Sequence, residues 1–219
     1  MRGSFADDTL STTQSRRKRN IRFVFVMTLP FFLIASGPWS VGSWQREGTE
    51  HFGMMLIIIA ILGRSWCTLY IGGRKVRQLV TVGPYSLTRN PLYLFSLLAV
   101  VGIAAQTGSL AISAISAVLT IAIFMPVIQK EEAELLRLHG RRFELYRLDV
   151  PRFVPRLSNW TDAAELAIDP DRWRRTVLDS LVFLFLVSLL RGIGHVQEAF
   201  GGALLLSLIH ISEPTRQEA

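Results

Sequence analysis

Three apolar stretches, at 52–71, 91–105 and 109–128, follow one another with almost no charge inside them, and nothing else constrains the fold so tightly. A helix of about 20 apolar residues matches the hydrocarbon thickness of a bilayer. A soluble domain would interleave charge with such runs. Half of the residues are hydrophobic, and the charges gather in the connectors. The chain therefore reads as an all-α, polytopic membrane helical bundle of about five transmembrane helices.

The net charge of +7 would suit a nucleic-acid partner, but the Lys and Arg residues sit beside apolar runs. Positive-inside topology accounts for them, so the expected partner is the lipid bilayer and not nucleic acid. A single cysteine, Cys67, excludes an internal disulfide framework and a multi-cysteine metal site. It lies within an apolar run and reads as a buried small residue.

Residues 1–20 are polar, end in Arg16-Arg17-Lys18-Arg19 and read as a disordered tail. The 21–36 run contains Pro30 and precedes no small-residue cleavage site, so it reads as a membrane helix kinked at Pro30. Residues 37–50 form a connector, with Trp39 and Trp44 suited to the membrane interface. The 52–71 run carries Arg64, which must meet a partner or water, or snorkel. Only Gln106-Thr107-Gly108 separates the next two runs, so they form an antiparallel hairpin with small residues that permit close contact.

Residues 129–147 are amphipathic, continuing the preceding span or lying on the membrane surface, with an interruption near Gly140. Val150-Pro151-Arg152-Phe153-Val154-Pro155 is too proline-rich to be helical. The membrane core thus covers 21–157, followed by a polar linker at 158–176 and an additional membrane segment at 177–205. Within and beyond that segment lie apolar runs at 177–190 and 200–211. Residues 206–216 match the translation of a transposase sequencing adapter, and 206–219 are set apart from fold reasoning. The tail, the 72–90 loop and residues 129–175 are basic, which puts them on the cytoplasmic side, consistent with a prokaryotic inner membrane.

Two polar islands face that side. In the first, Gly83-Pro84 forces an extended or turning backbone, and Asn90-Pro91 starts a helix with Asn at the N-cap. With Tyr85, Arg89 and free backbone donors at a helix start, this loop suits an anionic group, although it equally fits a well-capped connector. The second island is Glu131-Glu132, at the end of the hairpin's second arm. The hairpin brings the two together at its open end, where they suit a zwitterionic ligand. The plainer alternative is a solvated helix face, with Lys130 and Glu134 at i, i+4 spacing.

In order and spacing, Leu79-Val80-Thr81-Val82-Gly83-Pro84-Tyr85, Arg89-Asn90-Pro91-Leu92-Tyr93, Glu131-Glu132-x-x-Leu135, Gly140, Tyr146 and the segment from Val150 to Pro155 form a set. The set resembles the isoprenylcysteine carboxyl methyltransferase and phospholipid methyltransferase superfamily over roughly residues 52–157. The resemblance implies an integral membrane enzyme that binds S-adenosylmethionine in a cytoplasm-facing pocket, closed by the amphipathic helix and the extended loop. It implies cofactor contacts from Arg77, Gln78, Leu79, Val80, Tyr85, Asn90, Pro91, Leu92, Tyr93 and Glu131, with Glu131 taking the methionine amine. Arg89 and Glu132 are the expected catalytic residues, and the expected acceptor is a lipophilic small molecule.

Two departures bear on the reaction. Asn90 stands where that family has a histidine, and Asn does not titrate near neutrality. Val127 stands where isoprenylcysteine-specific members have a substrate-binding arginine. A carboxylate acceptor is already ionised, whereas an amine must lose a proton, and Glu132 is the one candidate base. Carboxyl methylation of an isoprenylcysteine-like compound is therefore the leading expectation. Phospholipid N-methylation, an NADPH-dependent reductase of the sterol-reductase kind and a non-catalytic membrane protein are the alternatives.

Overall fold

The computed structural model describes residues 42–72, 78–166 and 168–212. The expected tail, the 21–36 span, Trp39, Arg77 and residues 213–219 lie outside the described residues. Among the described residues every regular element is helical. Helix α1 is Trp44–Gly72, α2 the single turn Pro84–Leu87, α3 Pro91–Ala105, α4 Leu110–His139, α5 Arg141–Asp149 and α6 Pro170–Ser212. A 3-10 turn at Leu157–Asn159 precedes α6.

Helices α1 and α4, of 29 and 30 residues, are long and apolar enough to cross a bilayer. Helix α3 is apolar but has 15 residues, a rise of about 22 Å. The distribution of side chains is that of a bundle in lipid. Ile58, Ile59 and Leu62 on α1, Val118 and Leu119 on α4, and Val182 and Phe185 on α6 are exposed, while Ser113, Ser116 and Thr120 of α4 are buried. Small polar residues inside and branched apolar ones outside invert the soluble pattern. The protein is a membrane helical bundle.

Helix α3 is the centre, packed on α1 along one side and α4 along the other. It runs antiparallel to α1, as Gly102 meets Gly53 at one end and Phe95 meets Gly63 at the other. The backbones touch: a Cβ on Gly53 would stand 2.6 Å from the Gly102 carbonyl oxygen, and one on Gly102 would stand 2.6 Å from that of Gly53. Leu186 and Val187 of α6 close the core over Ile57, Ile103 and Ala104. Arg64 finds its partner within the bundle, donating to Ser96 Oγ of α3, with its guanidinium 5.8 Å from the Phe183 ring.

The hairpin turn is as tight as its composition suggests. The amides of Gln106, Thr107 and Gly108 donate to the carbonyls of Ile103, Ala104 and Ala105 at 3.1, 3.1 and 3.0 Å. Ser109 then caps α4 by accepting from the Ile112 amide at 3.3 Å. Of the two readings for 129–147, continuation is the one observed: α4 runs unbroken to His139 and stops at Gly140, whose φ is +50°. The two C-terminal apolar runs lie in one helix of 43 residues, α6, because no proline interrupts the polar residues between them.

Candidate functional site

The site forms where the open end of the α3–α4 hairpin meets the extended segment after α5. That segment lies along the loop before α3. The Arg89 amide donates to the Pro151 carbonyl at 2.9 Å, and the Arg156 amide to the Leu87 carbonyl at 3.0 Å. Thr88 Oγ1 donates to the Arg152 carbonyl at 2.9 Å. Proline keeps the segment extended, and these bonds satisfy the backbone groups it leaves open.

Glu132 is the hub. It is 8% exposed and falls in register with Phe124 and Ile128 on the buried face of α4. Arg152 Nη2 donates to its Oε2 at 2.7 Å and Arg152 Nε to its Oε1 at 3.3 Å. Asn90 Nδ2 donates to Oε1 at 3.3 Å, and Arg89 Nη1 stands 3.6 Å from the same oxygen. The two sequence islands therefore meet directly. A carboxylate this deep is costly unless donors and positive charge surround it; here Arg152 and Asn90 donate to it and Arg89 adds a second cation alongside.

The two guanidiniums are in different states. Burial pulls the Arg89 pKa below the usual arginine value; Glu132 opposes that shift and the nearby Arg152 adds to it. The direct hydrogen bond to Glu132 raises the Arg152 pKa. Both remain cations, since arginine does not deprotonate in proteins.

Asn90 occupies the cap position of α3, but its side chain caps nothing there. It is turned to Glu132 and, at 3.4 Å, to the Arg152 carbonyl. The free donors expected at this helix start are also fewer, because Pro91 has no amide hydrogen and the Tyr93 and Leu94 amides both close on the Asn90 carbonyl at 3.1 Å. The charge complement for an anion at this end therefore comes from arginine and not from the helix start.

The other expected residues divide by environment. Tyr85 and Tyr93 are buried, Tyr93 edge-on to Phe124 with ring centroids 5.1 Å apart. Pro91 is fully buried. Leu79 packs toward Phe143, Tyr146 and Val150, while Val80 and Leu92 pack on Cys67, Tyr70 and Tyr85. Gln78 is exposed and Glu131 half-buried beside Glu132. Since the side chains of Leu79, Val80 and Leu92 are committed to packing, a ligand would meet this stretch through its backbone.

Two features fall outside the expected cofactor-binding and catalytic residues, although both lie in stretches that carry the resemblance. Arg152 completes the hub; in the sequence it was one position of the proline-punctuated Val150–Pro155 segment, with no role assigned to it. Tyr146 donates to the Tyr85 carbonyl at 2.7 Å, and burial pushes its phenol well above the usual range, so it stays a donor.

A strap over residues 160–162 holds the α2 turn. The Gly83 amide donates to the Thr161 carbonyl at 2.7 Å, the Thr161 amide to Ser86 Oγ at 3.1 Å, and Tyr70 to Asp162 at 2.7 Å. Trp160 stacks on Trp66 at 5.6 Å. Gly83 has φ of +62°, and a Cβ there would strike the Tyr70 ring at 2.2 Å, so only glycine fits. Between the strap, α2 and the end of α5 lies a cavity of about 480 Å³, lined by Thr81, Ser86, Tyr146, Asp149, Arg156 and Asn159 among others.

A family model described as phospholipid methyltransferase matches residues 49–142, which include α3 and Glu132 but not Arg152. The cobalt-zinc-cadmium resistance protein CzcN of Cupriavidus metallidurans is 37% identical over 163 residues, covering 74% of each chain. The nickel-cobalt-cadmium resistance protein NccN of Alcaligenes xylosoxydans xylosoxydans is 34% identical over 179 residues, covering 82% of this chain and 84% of that protein. No solved structure matches.

Proposed function

This chain belongs to the phospholipid methyltransferase family, within the isoprenylcysteine carboxyl methyltransferase-like superfamily, and from that premise we propose that it methylates a lipophilic acceptor at the cytoplasmic membrane face using S-adenosylmethionine. The observation that carries the reading is the contact between Asn90 and Glu132 at 3.3 Å, which joins the loop before α3 to the end of α4 in one polar site.

The donor chemistry suits the cofactor. Its ammonium calls for a carboxylate, and Glu131 stands half-buried beside Glu132. Its carboxylate calls for a cation, and the Glu132 hub offers Arg89. The neighbouring cavity offers hydroxyl, amide and carboxylate groups for a nucleoside. In this reading Tyr85, Asn90, Pro91 and Tyr93 shape the walls, and Gln78, Leu79, Val80 and Leu92 contribute backbone contacts. S-adenosylmethionine, when bound, supplies a methyl group on a sulfonium that an acceptor oxygen displaces in line. The protein contributes alignment and exclusion of water, which in well-ordered systems amounts to several kcal/mol.

Glu132 acts here as a positioning residue and not as a base. Both oxygens of this carboxylate are already engaged by Arg152 and Asn90 and are not turned toward an acceptor amine. An acceptor that is anionic from the start needs no base, so O-methylation of a carboxyl compound of the isoprenylcysteine kind is preferred to N-methylation of a phospholipid. The resistance named for the relatives is then read, for this chain, as a consequence of methylating a membrane component.

Protection of the purified protein from heat separates this function from a nicotinamide-dependent reduction. S-adenosylhomocysteine at one hundred times its dissociation constant would add about 2.7 kcal/mol of stability. We expect a raised melting temperature with S-adenosylhomocysteine and none with NADPH. The reverse result assigns a reductase, and no shift with either leaves a non-catalytic membrane protein.

A further inference from the structure

Arg152 is the cation of the hub that solvent reaches. Its side chain is 36% exposed, against 10% for those of Arg89 and Glu132. Glu132 pins it along one edge, through Nη2 at 2.7 Å and Nε at 3.3 Å. The remaining nitrogen, Nη1, faces Met125 Sδ at 3.8 Å, and a thioether is a weak acceptor. Arg89 draws on the same carboxylate from 3.6 Å, so one negative charge is shared between two positive ones and the three side chains sum to +1.

The direction of the open nitrogen matters. Met125 lies seven residues before Glu132 on α4, about two turns toward the apolar part of that helix. Ile121 and Val118, one and two turns beyond it on the same face of α4, are exposed. A molecule with its tail among those residues would bring its head group to Arg152 Nη1. A guanidinium with a fixed plane matches the oxygens of a carboxylate or a phosphate.

We propose that Arg152 receives the anionic head group, carboxylate or phosphate, of the lipophilic methyl acceptor, with Glu132 holding the guanidinium in place. The proposal rests on the methyltransferase reading for the word acceptor, but the anion site stands on its own geometry. Arg152 is thus the specificity-determining residue of the site, selecting acceptors that arrive already charged.

Binding in dodecyl maltoside tests it, with dodecyl phosphate, dodecanoate and dodecanol as probes and S-adenosylhomocysteine titrated separately. The proteins are wild type, Arg152→Gln, Arg152→Lys and, as an exposed control that removes the same charge, Arg141→Gln. Loss of one charge-assisted hydrogen-bond partner should weaken an anionic probe about tenfold or more. We expect that loss in Arg152→Gln, a smaller one in Arg152→Lys, and wild-type behaviour in Arg141→Gln. Dodecanol and S-adenosylhomocysteine should bind all four alike, and the preferred anion tells carboxylate from phosphate.

Wild-type affinity for both anions in Arg152→Gln and Arg152→Lys overturns the proposal, as does an equal loss in Arg141→Gln, which marks nonspecific attraction. If Arg152→Gln loses S-adenosylhomocysteine and keeps the anions, the guanidinium serves the cofactor and the proposal falls. Should wild type bind the anions as expected but not S-adenosylhomocysteine, the anion site holds and the methyltransferase reading is what fails.

Discussion

At the scale of the residue, Glu132 decides more than any other side chain. It draws two arginines and Asn90 onto a single buried carboxylate. Removing one partner of a buried charge pair costs about 3–5 kcal/mol, because the other is left unpaired. Glu132→Ala should therefore lower the apparent melting temperature in detergent by roughly 10 °C. Glu131→Ala, at a half-buried neighbour, should leave it nearly unchanged. Equal effects would mean that the hub does not hold the loop. In the sequence the two acids stood as one island; the structure separates them, since Thr120, Phe124, Ile128 and Glu132 repeat at four-residue spacing along the buried face and Glu131 falls out of phase. The role of Arg152 was not legible, because a proline-rich segment has no periodicity to show which way a side chain points. Asn90 misled for a related reason, since Asn before Pro fits a cap equally well whether its amide bonds the helix or a distant carboxylate.

At the scale of the element, the packing of α3 on α1 sets where the site stands. The Gly53–Gly102 crossing lets the backbones touch, which holds α3 at a fixed height in the bundle. Gly102→Val places branched carbons against the Gly53 carbonyl and Ile57. Overpacking of this kind costs about 1–3 kcal/mol, or more where backbone is the obstacle. Reduced thermal stability is expected together with weaker S-adenosylhomocysteine binding, although Gly102 lies a full helix length from the site. A variant of wild-type stability and affinity would show that the crossing does not position α3. The hairpin itself was readable from three uncharged turn residues between apolar runs. The continuity of α6 was not, since polar residues mark where a span ends but only proline or a capping glycine marks where a helix does.

At the scale of the whole molecule, the bundle uses its membrane exterior to free its ends for chemistry. Exposed apolar residues on α1, α4 and α6 face outward, and the charged groups of the site collect at one end of the α3–α4 hairpin. The fold class followed from hydropathy alone, while the joining of the site came from long-range contacts between the hairpin's open end and the segment after α5. The central claim is that this end grips one zwitterionic cofactor. Its most direct measurement is the dissociation constant for S-adenosylhomocysteine by isothermal titration of the purified wild type, Glu131→Ala and Tyr93→Ala, each confirmed as folded. We expect binding by the wild type and a loss of tenfold or more in both variants; unchanged affinity in both would contradict the site.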